Sequence, residues 1–277
     1  MNVDVDVWGQ LNAQLTEPAA EAAVLTLLSR RLAEAEEHGV IGSWFFIRKK
    51  GWWRLRYQPG PGMPMEAATA VLTATLARLR AEGNIQRWVQ VIYEPEEHAY
   101  GGPDGMRAAH QLFHADSRAV LAYRAGLDAR PDHRRELALL LATALLRAAG
   151  QEWCEQGDVW ARVAVQRPVS QPAVPSARVA EMVGRFLVVD TSPSGPLLDG
   201  GALAFAGDWM AAYRGAGVAL GELAESGCLT RGLRALLAYL VLPAWNRLGL
   251  AYTDQHTLAA AARDVILGEV PISATRS

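Results

Sequence analysis

The stretch Ser43–Tyr57 reads SWFFIRKKGWWRLRY, and it decides the fold. Aromatic and apolar residues crowd Ile41–Arg48 and again Trp52–Tyr57, with Lys49, Lys50 and Gly51 between them. Such residues suit a pleated, half-buried surface, and a short glycine-bearing break suits a reversal. The stretch therefore reads as a β-hairpin. Outward from it, Gln58–Pro64 is a Pro/Gly loop that ends the pairing, and Gln86–Tyr93 reads as a third strand.

The rest is helical by pattern. Glu17–His38 puts Val24, Leu25, Leu27, Leu28 and Leu32 on one face and stops at Gly39. Further helices are expected over Met65–Glu82, Pro103–Gly126, Asp132–Ala149, Ser176–Phe186, Ala202–Glu225, Leu229–Leu248 and Asp254–Leu267. Residues before Pro18 read as a short mixed tail. Val165–Pro175 reads as a proline-bearing connector, and Asp190–Gly201 as a loop. The expected class is α+β: a small antiparallel sheet packed by helices, over about residues 17–126, and a mostly helical C-terminal half, over about 131–268.

The 277 residues suffice for one large domain or two small ones. A net charge of −2 gives no field for nucleic acid or an anionic membrane, and neither partner is expected. No basic-then-apolar N-terminal stretch marks a signal peptide. The most apolar segment, Leu233–Leu242, is too short and interrupted to cross a bilayer. Cys154 and Cys228 form no ligand or redox spacing and read as thiols of a cytoplasmic protein. Nine tryptophans suit either core packing or a cavity that grips a large flat group.

Several side chains stand out. Arg54 and Arg56 are two apart, so a strand turns both to one face. They read either as a solvated edge or as a site. Glu94 and Glu96, also two apart, are placed to answer them across a shared sheet. Tyr93 to Glu96, followed by Tyr100, Gly101 and Gly102, forms a turn that exposes backbone amides, and Asp104 is expected to cap the next helix. That helix carries His110 and His114 on one face. Without a further placed ligand the pair is a weak metal signal, and no metal is expected. Asp116 and Ser117 are poor helix formers in mid-helix, a cost that points to specific hydrogen bonding. Asn246 and Arg247 end a greasy helix either as carbonyl caps or as site residues, with Tyr239 two turns before them. No Gly-x-Ser-x-Gly elbow, P-loop or Gly-x-Gly-x-x-Gly is present, so neither a hydrolytic triad nor a nucleotide cofactor has a handle.

Taken together and in order, SWFFIR…WRLR, YEPE…YGG, LFHADS and WNRLGL resemble the C-terminal domain of lantibiotic dehydratases and its stand-alone relatives in thiopeptide biosynthesis. The resemblance covers Ser43–Ser117 and Trp245–Leu250 and implies one such domain over the whole chain. In this family one group eliminates glutamate from glutamylated serine or threonine. Another, the pyridine synthases, joins two dehydroalanines of a thiazole-bearing precursor into a six-membered nitrogen ring, closes the macrocycle and expels the leader. The eliminating group typically has an arginine before Tyr-Gly-Gly and a histidine four residues before Asn-Arg. This chain has Ala99 and Leu242 there.

The resemblance therefore implies a pyridine synthase ahead of a glutamate-eliminating lyase, with a non-catalytic leader-binding partner as a third reading. It implies Tyr239, Tyr93, His114 and Asp116 for proton handling. Arg54, Arg56, Asn246 and Arg247 would hold peptide carbonyls, Trp52, Trp53 and Trp245 would stack on thiazoles, and Glu94, Glu96 and Ser117 would line the substrate site. No cofactor is required. The implied partner is a modified precursor peptide with its leader, and a homodimer is possible. The expectation is one hollow lined by the hairpin arginines and the Asn-Arg corner.

Overall fold

A computed structural model describes residues 7–49, 51–126, 132–170 and 176–268. Lys50 of the expected hairpin turn, and Pro172 and Pro175 of the connector, lie outside the described residues. The chain forms two compact units. One comprises the residues up to Pro95 together with Phe113–Asp132, and the other Glu96–Leu112 together with the residues from His133 onward.

The first unit is built on a four-stranded antiparallel sheet of order β2-β3-β1-β4. The strands are β1 (Gly9–Leu15), β2 (Ile41–Lys49), β3 (Trp52–Pro59) and β4 (Ile85–Ile92). The expected hairpin is β2–β3, with Trp44 opposite Tyr57 and Lys49 opposite Trp52. β1 lies in the segment expected to be a tail, and it is a central strand. Its Leu11 and Ala13 are buried while Asn12 and Gln14 between them are not, the period-two signature of a strand. Amides and alanine are weak strand formers, so its place comes from pairing on both sides with β3 and β4.

Register sorts the sheet into two faces. Leu11, Ala13, Leu55, Tyr57, Phe46 and Trp53 share one face and are all buried. Helices α1 (Glu21–Glu37) and α2 (Met65–Ala81) supply Leu25, Leu28, Leu32, Leu72, Leu76 and Leu79 to this core, and Tyr57 hydrogen bonds Thr69 of α2 at 2.7 Å. Each fully buried leucine contributes about 1.5–3 kcal/mol. Gly9 sits opposite Tyr57, where a Cβ would come within 2.5 Å of the ring, so only glycine fits. The other face carries Gln10, Asn12, Gln14, Trp52, Arg54, Arg56 and Arg87.

The outer edge of β2 is closed by α3 (Pro103–Ala125), whose second half belongs to this unit. The Phe46 N–H donates to Ser117 Oγ at 3.3 Å, and His114 Nδ1 lies 3.1 Å from the Trp44 nitrogen and 2.9 Å from its carbonyl oxygen. An edge strand leaves alternate backbone groups unpaired; Ser117 meets the Phe46 N–H, and His114 Nδ1 meets one of the two Trp44 groups according to its tautomer.

The second unit is helical. Around α4 (Arg134–Ala148), buried from Leu137 to Leu146, pack α6 (Ala177–Val188), α7 (Gly207–Glu225) and α8 (Leu233–Leu248), while α5 (Trp153–Val165) and α9 (Tyr252–Leu267) pack together. Gly217 lets α7 approach α4, since a Cβ there would lie 2.5 Å from the Leu145 carbonyl oxygen. Among the described residues no helix is long and apolar enough to cross a membrane.

Candidate active site

The first unit gathers its polar residues on the sheet face opposite the core. Arg56 is only 8% exposed. Its Nε donates to Gln10 Oε1 at 2.8 Å, and its guanidinium lies 4.5 Å from the Tyr93 ring centre and 5.3 Å from that of Phe45. Cation–π attraction and the amide bond hold its plane. Gln10 in turn donates to Asn12 Oδ1 at 2.8 Å. Arg54 stands beside Asn12 on the same face, and its buried Nε has no hydrogen-bond partner among the described residues. The two-residue spacing does turn both guanidiniums one way. The carboxylates expected opposite them are displaced because β1 intervenes between β3 and β4, and Gln10 of β1 accepts from Arg56 instead.

Tyr93 packs with Trp8 and Phe45 at centroid distances of 5.9 and 6.1 Å, and Glu94 beyond it is exposed. Trp53 is not on a ligand-facing surface: it stacks on Phe46 at 4.6 Å in the core. Trp52 is half-buried, under the Arg87 guanidinium at 5.2 Å, and lines a cavity of about 400 Å³ with Arg48, Lys49, Glu17 and Glu21.

His114, Asp116 and Ser117 occupy α3. Besides Trp44, His114 faces Glu36, with Nε2 3.2 Å from the carboxylate. Burial works to raise the Glu36 pKa, but the His114 hydrogen bond and the Arg118 charge prevail and hold the carboxyl below its ordinary range. Asp116 and Ser117 are both buried. At Ser117 the mid-helix cost is met by a specific contact with the β2 backbone. Among the described residues no group of three His, Cys, Asp or Glu side chains is placed to hold a metal.

In the second unit the Tyr100-Gly101-Gly102 turn docks on the start of α8. The Thr230 N–H donates to the Gly101 carbonyl at 2.9 Å, and both glycines adopt positive φ, +80° and +102°. Asp104 is not a cap: it lies in the first turn of α3 and pairs with Arg107 at 2.6 Å, a place where the helix dipole favours an acid.

Tyr239 of α8 leans over this turn. Its hydroxyl donates to Glu96 Oε2 at 2.9 Å, its ring meets Tyr100 edge-on at 5.4 Å, and the Arg231 guanidinium lies 5.4 Å from its ring centre. Arg231 also donates to the Ala99 carbonyl at 3.2 Å. Burial pushes the Tyr239 phenol up, the hydrogen bond and charge of Glu96 push it further, and Arg231 opposes them. The phenol therefore stays protonated through the neutral range, with a carboxylate and a guanidinium on either side.

The Asn246–Arg247 corner lies on the same helix. Asn246 Oδ1 accepts from Gln255 Nε2 at 2.9 Å, and Gln255 Oε1 accepts from Arg167 Nε at 2.6 Å. Burial pulls the Arg167 guanidinium down from its ordinary value. Arg247 is fully buried. Trp245, 1% exposed, packs on Trp160 and donates to the Ala138 carbonyl, so it is a core residue and not a stacking surface. The structure thus joins Tyr239 with Glu96, and Arg56 with Tyr93. Sequence reasoning missed Gln10, Arg167 and Arg231. The alternation of β1 marks Gln10, whereas loop geometry and not spacing delivers the two arginines.

From residue 8 to residue 266 the sequence matches the family described as lantibiotic biosynthesis dehydratase, C-terminal. Among solved structures, the tRNA-dependent lantibiotic dehydratase MibB from Microbispora sp. 107891 is similar, with a TM-score of 0.69 and 19% identity over 97% of this chain. This chain spans only 28% of MibB's length. TsrL matches with a TM-score of 0.61 and 16% identity, over 95% of each chain. TbtD, a pyridine synthase from thiomuracin biosynthesis, matches with a TM-score of 0.59 and 14% identity, over 96% of this chain and 100% of TbtD. At these identities the likeness is one of fold. No curated protein sequence matches. The family match, by contrast, runs through both units from β1 to α9, and the protein belongs to the lantibiotic biosynthesis dehydratase C-terminal family.

Proposed function

We propose that this protein is a pyridine synthase of thiopeptide biosynthesis. The observation that carries the reading is the Tyr239 cluster: a phenol kept protonated beside Glu96 and Arg231, on a helix whose position 242 is a leucine only 6% exposed. Glutamate elimination needs a base for the α-proton, and neither Leu242 nor Ala99 offers one or a cation. Ring formation needs a proton donor and a shaped surface instead. One dehydroalanine supplies two carbons, and the other, with its preceding amide as the imidic acid, supplies the diene. Two carbon–carbon bonds close the ring, one between the two methylene carbons and one between the imidic-acid carbon and the α-carbon of the partner dehydroalanine. The imidic-acid hydroxyl leaves as water, and the leader departs as an amide from that α-carbon to give the aromatic ring.

Tyr239 would protonate the departing groups, with Glu96 returning the proton. Arg54 and Arg56 would hold substrate carbonyls, and Trp52 would offer an indole face to a thiazole. Holding two distant parts of one peptide together contributes several kcal/mol, of the order seen for proximity effects.

Glutamate elimination is the second reading, and one observation favours it: Arg231 brings a guanidinium to the Ala99 carbonyl from another element. Two substrates separate the readings. A bis-dehydroalanine, thiazole-bearing precursor should lose water and its leader, and a glutamylated peptide should be left intact. Conversion of the glutamylated peptide instead would assign the protein to the lyases. Tight leader binding with turnover of neither substrate would leave a binding partner only.

A further inference from the structure

The two edges of the sheet are treated differently. The β2 edge is sealed by His114 and Ser117. β4 is the other edge strand, and among the described residues β1 alone pairs with it. Gln86, Arg87, Val89, Gln90 and Ile92 are exposed, Ile92 at 88% and Val89 at 42%. Proteins ordinarily blunt such an edge with proline, lysine or a covering element, because its unpaired N–H and C=O groups are a template for another strand. β4, IQRWVQVI, has neither proline nor lysine.

Charge narrows the choice of occupant. The sheet face away from the core carries Lys49, Arg54, Arg56 and Arg87, and the four strands contain not one Asp or Glu, in a chain whose net charge is −2; Arg48 lies on the core face and pairs with Glu21. A strand added to β4 would extend the face that bears Arg54, Arg56 and Arg87, with its own alternate side chains beside Arg87, Val89 and Val91.

We propose that β4 pairs, main chain to main chain, with an extended, acid-rich segment of the peptide substrate outside the reacting residues. The identification of that peptide as a substrate rests on the ring-forming reading above; the pairing itself rests on the edge and its charge. A second copy of this chain is a poorer occupant, since it would set one cationic sheet against another.

The test uses the full chain and three fluorescein-labelled peptides, each matching the eight residues of β4 in length. One alternates Glu and Val, one alternates Lys and Val, and one repeats the Glu/Val sequence with alternate backbone nitrogens methylated. The Glu/Val peptide should bind and slow amide exchange in β4. Lysine replacement and methylation should each weaken binding by about tenfold or more. Equal binding of all three, no binding of the first, or slowed β4 exchange on raising protein concentration without peptide would overturn the proposal. Ring formation measured on the same preparation separates the two ideas. Turnover without β4 pairing removes only this proposal, and β4 pairing without turnover removes only the ring-forming reading.

Discussion

Tyr239 is the side chain at which chemistry and packing separate. Its ring packs on Tyr100, and its hydroxyl alone reaches Glu96. Tyr239→Phe keeps the first contact and removes the second. It should lower kcat by about 100-fold or more with KM nearly unchanged, the loss typical of a positioned proton donor. Steady-state kinetics on the thiazole-bearing precursor checks this, and a KM effect alone would assign Tyr239 to binding. His114 gives the opposite expectation. With both ring nitrogens engaged by Trp44 and Glu36, His114→Ala should cost about 1–2 kcal/mol of stability, read by urea denaturation.

Titration adds two windows. The Glu36 pKa is depressed in the folded state, so its stabilisation is present above the unfolded value of 4.5 and is lost as pH falls below it. The Tyr57 and Tyr239 pKa values are raised, Tyr57 by burial, so their contribution is intact below 10.0 and is lost as pH rises past it. Thermal melts across pH should show both declines, and Glu36→Gln should lessen the acid one.

At the scale of elements, the hairpin and the long helices are legible because aromatic crowding and helical spacing are strong local signals. β1 is not, because Gln, Asn and Ala specify no strand by themselves and its neighbours in the sheet are remote in sequence. The same hidden strand explains why Glu94 and Glu96 do not answer the arginines from an adjacent strand. Gly9 tests its register: Gly9→Ala would drive a methyl into the Tyr57 ring and should cost about 1–3 kcal/mol, an overpacking penalty, whereas the same change at solvent-open Gly51 strains only a positive-φ turn. Equal losses at the two positions would contradict the register. Ser117, unwelcome in mid-helix, is the case where local cost does point to a specific contact.

Across the whole molecule, the family is legible in the ordered motifs, and the match from residue 8 to residue 266 bears it out. The division into units is less so. Glu96–Leu112 joins the helical unit because Tyr100, Gly101 and Gly102 dock on Leu229, Thr230 and Leu236, a contact no local pattern announces. The abundance of tryptophan also has two physical outcomes, since Trp53, Trp160 and Trp245 fill cores while Trp52 borders a cavity. The most direct measurement of the central claim is the mass of the product made from a precursor carrying two dehydroalanines and thiazoles. A macrocycle lighter by one water and free of its leader, formed by the wild type and lost in Tyr239→Phe, is the predicted result. An unchanged precursor, alongside glutamate released from a glutamylated peptide, would contradict it.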